Sequence, residues 1–248
     1  MSGHSKWSQI KRKKGVIDAK RGQIFTKMAR EIMIATRAGG SGDPAANFRL
    51  RLAIQRAKDV NMPADNIERA IKKGSGEGQA DAMAEISYEG YAPGGAAIFV
   101  EAMTDNKNRT ASEVRRVFTR HGGNLGESGS VAWLFQNTGV VAADSPPGKA
   151  EDIALAAIDA GADDVKTDGD SLEVYVAPQQ LENVRKAIER AGAKISTAEL
   201  QMVPKTTIPV EGGTAMQALH LLEGLDELDD VQKVYTNAEF PQAVLAQA

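Results

Sequence analysis

The pattern of apolar and polar positions changes character near residue 80. Residues 1–16 carry no apolar periodicity and predict no element of their own. A first helix is expected from about Asp18, a plausible N-cap, to the break at Gly39-Gly40-Ser41-Gly42. On a wheel of about 100° per residue, Ile17, Ile24, Phe25, Met28, Ile32 and Ala35 share one face, and Lys20, Lys27, Arg30 and Arg37 gather elsewhere. Asp43-Pro44 reads as N-cap and first-turn proline of a second helix ending near Asn61, with Leu50, Ala53, Ile54 and Ala57 as its buried stripe. Met62-Pro63 opens a third, short helix carrying Ile67, Ala70 and Ile71, which stops at Lys73-Gly74. Ser75-Gly76-Glu77-Gly78 reads as a linker.

Beyond the linker the period shortens. Ala84–Tyr91 and Ala96–Met103 read as strands around a turn at Pro93-Gly94-Gly95. Thr110 is expected to cap a helix whose Val114, Val117, Phe118 and His121 lie on one side and which ends at Gly122-Gly123, with Ser130–Gln136 a strand after it. From Gly139 the order is strand, helix, strand, strand, helix, strand through Met202, the βαββαβ succession of a ferredoxin-like unit. A strand at Thr206–Val210, a helix from about Thr214 to Leu228 and a strand at Val231–Thr236 complete the chain. That last group is too small to fold alone, and so is the group at 84–136, so the two are expected to pair. The reading is an α+β multidomain chain with an N-terminal three-helix domain followed by two α/β domains, one ferredoxin-like and inserted in the other. The expected boundaries are 1–78 for the basic arm and helices, 82–137 plus 204–238 for the middle domain, and 138–203 for the insert.

Charge sharpens this picture. The formal net charge is −3, yet nine Lys/Arg and one acid, Asp18, lie between Lys6 and Arg30. Residues 1–78 hold 17 Lys/Arg against 7 Asp/Glu, and the remainder holds 13 against 26. A basic front on an acidic rear orients a molecule on a polyanion. The front also contains His4 and Trp7, rings that can stack on bases beside cations that can meet phosphates. The expected nucleic-acid contacts are His4, Lys6, Trp7, Lys11, Arg12, Lys13, Lys14, Lys20, Arg21, Lys27 and Arg30. A second basic cluster at Lys107, Arg109, Arg116 and Arg120 is read either as a solvated helix face or as an auxiliary contact; Glu113 is placed to pair with Arg116.

The signatures of catalysis are missing. There is no cysteine, the three histidines (His4, His121, His220) are scattered, and no phosphate-binding loop, zinc-protease spacing or nucleophile elbow occurs. Gly122-Gly123-Asn124-Leu125-Gly126 follows a helix and precedes a strand, the reverse of a dinucleotide fingerprint, so it reads as a helix end and tight turn. Asp163-Asp164 and Asp229-Asp230 read as solvated turns. No metal, cofactor or enzymatic activity is expected. No apolar run approaches the length of a membrane span, and the absence of cysteine fits a reducing, cytoplasmic setting.

Five blocks carry a resemblance. They are Gly3-His4-Ser5-Lys6-Trp7 with Asp18-Ala19-Lys20-Arg21-Gly22 and Phe25; Tyr88-Glu89-Gly90-Tyr91-Ala92-Pro93-Gly94-Gly95; Asn106-Lys107-Asn108-Arg109-Thr110; Gly122-Gly123-Asn124-Leu125-Gly126; and Gly129-Ser130-Val131-Ala132-Trp133. In this order over essentially the whole chain, they resemble the YebC/PmpR family, whose mitochondrial members are translational activators. The resemblance implies three domains and a cytoplasmic, non-enzymatic protein, usually described as a DNA-binding transcriptional regulator. Other members are associated with ribosomes and help translation through stretches such as consecutive prolines. Two functions therefore stand side by side, a promoter-binding regulator and a translation factor whose basic arm binds rRNA. A third is a protein-binding adaptor using the acidic C-terminal domains.

Overall fold

The computed structural model describes residues 18–76 and 83–245, with backbone alone for residues 18–21. The expectations for residues 1–17, for the cap of the first helix and for the end of the linker lie outside the described residues. The chain divides into two compact units, residues 135–203 and the segments on either side of them.

The flanking unit begins with three helices, α1 (Asp18–Ala38), α2 (Phe48–Asp59) and α3 (Ala64–Gly74). Ile32 and Ala35 of α1 pack with Leu50, Ala53 and Ala57 of α2 and with Ile67 and Ala70 of α3; Phe25 and Met28 cover the edge of that cluster. The helical periodicity of the sequence thus converges on one small core. Close packing also fixes Gly74, where a Cβ would lie 2.6 Å from the Met33 carbonyl oxygen.

The start of α2 differs from the sequence expectation. Asp43 and Pro44 form a turn in which the Asp43 carbonyl accepts from Ala46 and Asn47, and the helix is capped by Asn47. The Asn47 side chain accepts from the Leu50 amide at 3.0 Å and donates to the carbonyls of Ala35 at 2.8 Å and Ser41 at 3.1 Å. One buried amide therefore satisfies the beginning of α2 and the end of α1 together, a task the Asp43 carboxylate, an acceptor only, cannot perform.

The chain continues with β1 (Ala84–Tyr91), β2 (Ala97–Thr104), α4 (Lys107–Arg120) and β3 (Asn124–Leu125). Next comes the second unit, with β4 (Phe135–Asp144), α5 (Ala150–Asp159), β5 (Asp164–Asp168), β6 (Ser171–Val176), α6 (Leu181–Arg190) and β7 (Lys194–Pro204). The first unit resumes with β8 (Ile208–Pro209), α7 (Gly212–Asp226), β9 (Val231–Thr236), β10 (Ala238–Glu239) and α8 (Gln242–Leu245).

In residues 135–203 the strand order is β5-β6-β4-β7, the ferredoxin-like arrangement for a βαββαβ chain. Val140, Leu172, Val174 and Val176 from the strands, Ile153 and Ala157 from α5, and Val184 and Ile188 from α6 are buried. In the flanking unit the order is β3-β1-β2-β9, so a strand from each side of the insertion pairs in register, Ile98 opposite Thr236 and Val100 opposite Val234. The core of that sheet combines Ile98 and Val100 with Val114 and Phe118 of α4 and Leu219, Leu222 and Leu225 of α7.

Two further expectations are corrected. The cap of α4 is Asn106, whose side chain accepts from the Arg109 amide, while Thr110 lies inside the helix with its hydroxyl buried. Of the stretch Ser130–Gln136, residues 130–134 are a loop and a 3-10 turn (Ala132–Leu134), and Phe135 and Gln136 open β4. The loop's backbone amides are taken by a carboxylate instead of a strand ladder. Buried Glu89 accepts from Gly129, Val131 and Ala132, each at 2.7 Å. Its position on β1 gave no sign of this, because strand alternation puts it on the face of Glu85 and Ser87.

Candidate nucleic-acid interface

The expected contacts divide into three groups. His4, Lys6, Trp7, Lys11, Arg12, Lys13 and Lys14 lie outside the described residues. Lys20 and Arg21 fall in the first turns of α1, where only the backbone is described. Lys27 and Arg30 are described, and both are committed inside the chain.

Lys27 Nζ donates to the Asp226 carbonyl at 2.6 Å and lies 3.8 Å from its carboxylate. Arg30 forms an ion pair with Asp230 at 2.9 Å and also donates to the Asp229 carbonyl. Gln23 reaches the Glu227 carbonyl and, at 3.2 Å, the Asp229 carboxylate. The physical cause is the end of α7. Its last carbonyls carry the negative end of the helix dipole, and acids surround them, so the cations of α1 settle there. The α1 face expected to offer cations outward is in this part a docking face.

Asp230 is the hub of that contact and is not a solvated turn residue: only 2 % of it is exposed. It accepts from Thr110 Oγ1 at 2.6 Å, Thr104 Oγ1 at 3.0 Å and Arg109 at 2.8 Å, in addition to Arg30. Burial alone would raise its carboxyl pKa. Hydrogen bonds from Thr110, Arg109 and Thr104 and the charge of Arg30 outweigh burial and hold it below the ordinary carboxylate value. The bulge of β2 against β9 at Glu101/Ala102 and the bond from the Met103 amide to the Asp230 carbonyl place it beside the end of β2. No spacing in the sequence announces this hub. Arg30, Thr104, Arg109 and Asp230 come from four separate elements or turns.

The auxiliary cluster separates likewise. Arg109 is tied to Asp105 and Asp230, both at 2.8 Å, and these hydrogen bonds raise its already high pKa. Lys107, Arg116 and Arg120 are exposed, as is Arg115 beside them. Among the described residues, no acid pairs with any of these four, so the expected Glu113–Arg116 pair does not form. In the helices, Arg49 pairs with Glu85 and Arg56 with Glu31. Asn66, the side chain on α3 best suited to read a base, accepts from Arg69.

The glycine-rich loop is explained by packing. Gly122, at φ 73°, closes α4, and a Cβ at Gly123 would lie 2.7 Å from Leu221 and 2.9 Å from the Tyr91 carbonyl. Among the described residues, no group of three or more His, Asp or Glu is placed to hold a metal ion, and no helix is long and apolar enough to cross a membrane.

Comparison with known proteins accounts for almost the whole chain. Residues 5–77 match the TACO1/YebC N-terminal domain, and residues 83–238 match the TACO1/YebC second and third domain. This chain belongs to the TACO1/YebC family. Among its relatives, a protein of Roseiflexus castenholzii is 53 % identical over 251 residues, covering 100 % of this chain and 98 % of its own length. One from Natranaerobius thermophilus is 51 % identical over 248 residues, covering 99 % of both chains. Each is called a probable transcriptional regulatory protein. The fold is similar to the crystal structure of a conserved hypothetical protein from Aquifex aeolicus, with a TM-score of 0.83 and 46 % identity over 91 % of this chain and 93 % of that one.

Proposed function

We propose that this TACO1/YebC chain is a non-enzymatic, cytoplasmic regulator of gene expression that works by binding nucleic acid through the cations preceding and opening α1. The observation carrying this reading is a division of labour along one segment. Lys27 and Arg30 bind α1 to acids of its own chain, whereas seven Lys/Arg with one acid lie between residues 6 and 21. A helix anchored at its middle thus holds a strongly cationic lead. The name that the relatives carry, probable transcriptional regulatory protein, supports DNA as the first target.

A second reading, rRNA in the ribosome with relief of stalls such as those at consecutive prolines, is favoured by a specific feature. The α3 helix offers little for base readout, because the Asn66 oxygen is held by Arg69 and the neighbouring exposed positions include Asp65 and Glu68. Rings and cations on a terminal segment suit single-stranded or irregular RNA better than a major groove.

Both readings predict a steep salt dependence. If about six phosphates are neutralised, log K falls against log salt with a slope of about −5 or steeper on duplex DNA. Fluorescence anisotropy over a salt series measures it. A slope near zero would overturn the electrostatic contact. A tenfold preference for one promoter over random duplex at physiological salt would contradict the weak base readout expected here.

A further inference from the structure

The exposed arc of α4 holds Asn108, Ser112, Arg115, Arg116, Thr119 and Arg120. The opposite arc, with Thr110, Val114, Val117 and Phe118, is buried in the sheet core. Every side chain on the exposed arc carries a cation or a neutral hydrogen-bonding group, and none carries a carboxylate. Glu113 stands at the margin, half-buried. This arrangement is unusual within its own chain, because residues 79–248 hold twice as many acids as bases. Among the other described arginines, Arg37, Arg51, Arg69 and Arg190 have no paired acid, while Arg30, Arg49, Arg56, Arg109 and Arg185 form ion pairs. Arg115, Arg116 and Arg120 do not.

Helix electrostatics explain only part of this. Arg120 lies in the last turn, where the dipole welcomes a cation, but Arg115 and Arg116 precede it. Like charges placed three to four positions apart repel one another, so their accumulation on one arc opposes helix stability. The helix beneath is rigidly held by the Asn106 cap, by Thr110 against Asp230 and by the closing Gly122. The guanidinium forks therefore ride on a fixed element.

We propose that the solvent face of α4 is a second nucleic-acid contact that lies along the phosphate backbone, additional to the N-terminal cations. The guanidinium groups of Arg115, Arg116 and Arg120 meet phosphate oxygens in bidentate geometry, and Asn108, Ser112 and Thr119 add neutral hydrogen bonds. A fourteen-residue helix is about 21 Å long at 1.5 Å per residue, enough to follow several phosphates. A lipid surface does not fit this face, because an interfacial helix needs an apolar side free to enter the bilayer and that of α4 is occupied by the core.

This inference rests on the proposed nucleic-acid binding, and one experiment separates them. The full chain, the triple variant Arg115→Gln/Arg116→Gln/Arg120→Gln, and the same positions changed to Lys are titrated with a short duplex DNA and a short hairpin RNA across a salt series. The triple Gln variant should melt at or slightly above the temperature of the parent chain, since the three arginines have no partner among the described residues and their mutual repulsion is removed. On duplex DNA its slope should be shallower by about 2.7, three contacts at about 0.9 each, with affinity at moderate salt reduced at least about tenfold. Lysine at the three positions should restore most of the slope. If the parent chain binds and the Gln variant keeps the same slope and affinity on both probes, α4 is not a contact and its cations serve an acidic protein partner or solubility. If the parent chain binds neither probe, the nucleic-acid reading falls and this inference falls with it.

Discussion

Asp230→Ala is expected to destabilise the chain by about 3 kcal/mol, within the range for breaking a buried ion pair by removing one partner. The carboxylate receives two threonine hydroxyls and lies against two guanidinium groups. Its loss removes the acceptor that the buried Thr104 and Thr110 hydroxyls share, leaving Thr110 the Asn106 carbonyl at 3.0 Å, and takes the nearest counter-charge from Arg30, whose side chain is 17 % exposed. Denaturant titration should show a lower midpoint with an unchanged slope, the mark of lost stability without a changed unfolded state. The pH dependence has a definite sign. A carboxyl held below its unfolded value contributes stability that is complete above the unfolded pKa of about 3.9 and is lost as pH falls through the folded one. Wild-type stability should therefore drop below about pH 4 more steeply than that of Asp230→Asn, which has no carboxyl to protonate. Equal acid sensitivity in the two proteins would mean that Asp230 does not carry this part of the stability.

Removal of residues 2–14 is the second large effect, and it should fall on binding alone. The segment holds Lys6, Lys11, Arg12, Lys13 and Lys14. Deleting five cations should make the duplex-DNA salt slope shallower by about 4.5 and weaken binding at physiological salt at least about a hundredfold. The described fold should persist, because its core clusters draw on residues from Phe25 onward. Within the segment, the aromatic group distinguishes the two targets. If single-stranded or irregular RNA is bound, Trp7→Ala should cost more than any single Lys→Ala, since stacking one base on a ring is worth about 1–3 kcal/mol. If only a duplex backbone is bound, Trp7→Ala should cost no more than a lysine. A chain lacking residues 2–14 that binds with its affinity and slope intact would remove the arm from the account.

Much of the fold was legible because periodicity reports burial. Ile32 and Ala35, Leu50 and Ala53, and Ile67 and Ala70 occupy the stripes that helical spacing assigned them. The βαββαβ order likewise led to the ferredoxin-like sheet of residues 135–203. What the sequence hid were side chains serving two elements at once. Asn47 displaced Asp43 as a cap because it can donate to α1 as well as accept from α2. Asn106 displaced Thr110, whose hydroxyl is engaged by Asp230 more than a hundred residues away. Glu89 turned the start of an expected strand into a loop by gathering three amides. The same reason governs the site. Helical spacing located Lys27 and Arg30 on one arc but could not show that Asp226 and Asp230 wait opposite that arc. Arg116 and Arg120, by contrast, are exposed as their spacing suggested.

The measurement that bears most directly on the central claim is ultraviolet crosslinking of this protein in cells, with sequencing of the attached nucleic acid and mapping of the crosslinked peptides. Nucleic-acid binding through the N-terminal cations predicts crosslinked peptides within residues 4–21, joined to DNA with little sequence preference if the target is DNA or to a few rRNA helices if it is the ribosome. Crosslinks that avoid this segment, or recovery of no nucleic acid above a mock sample, would contradict the account.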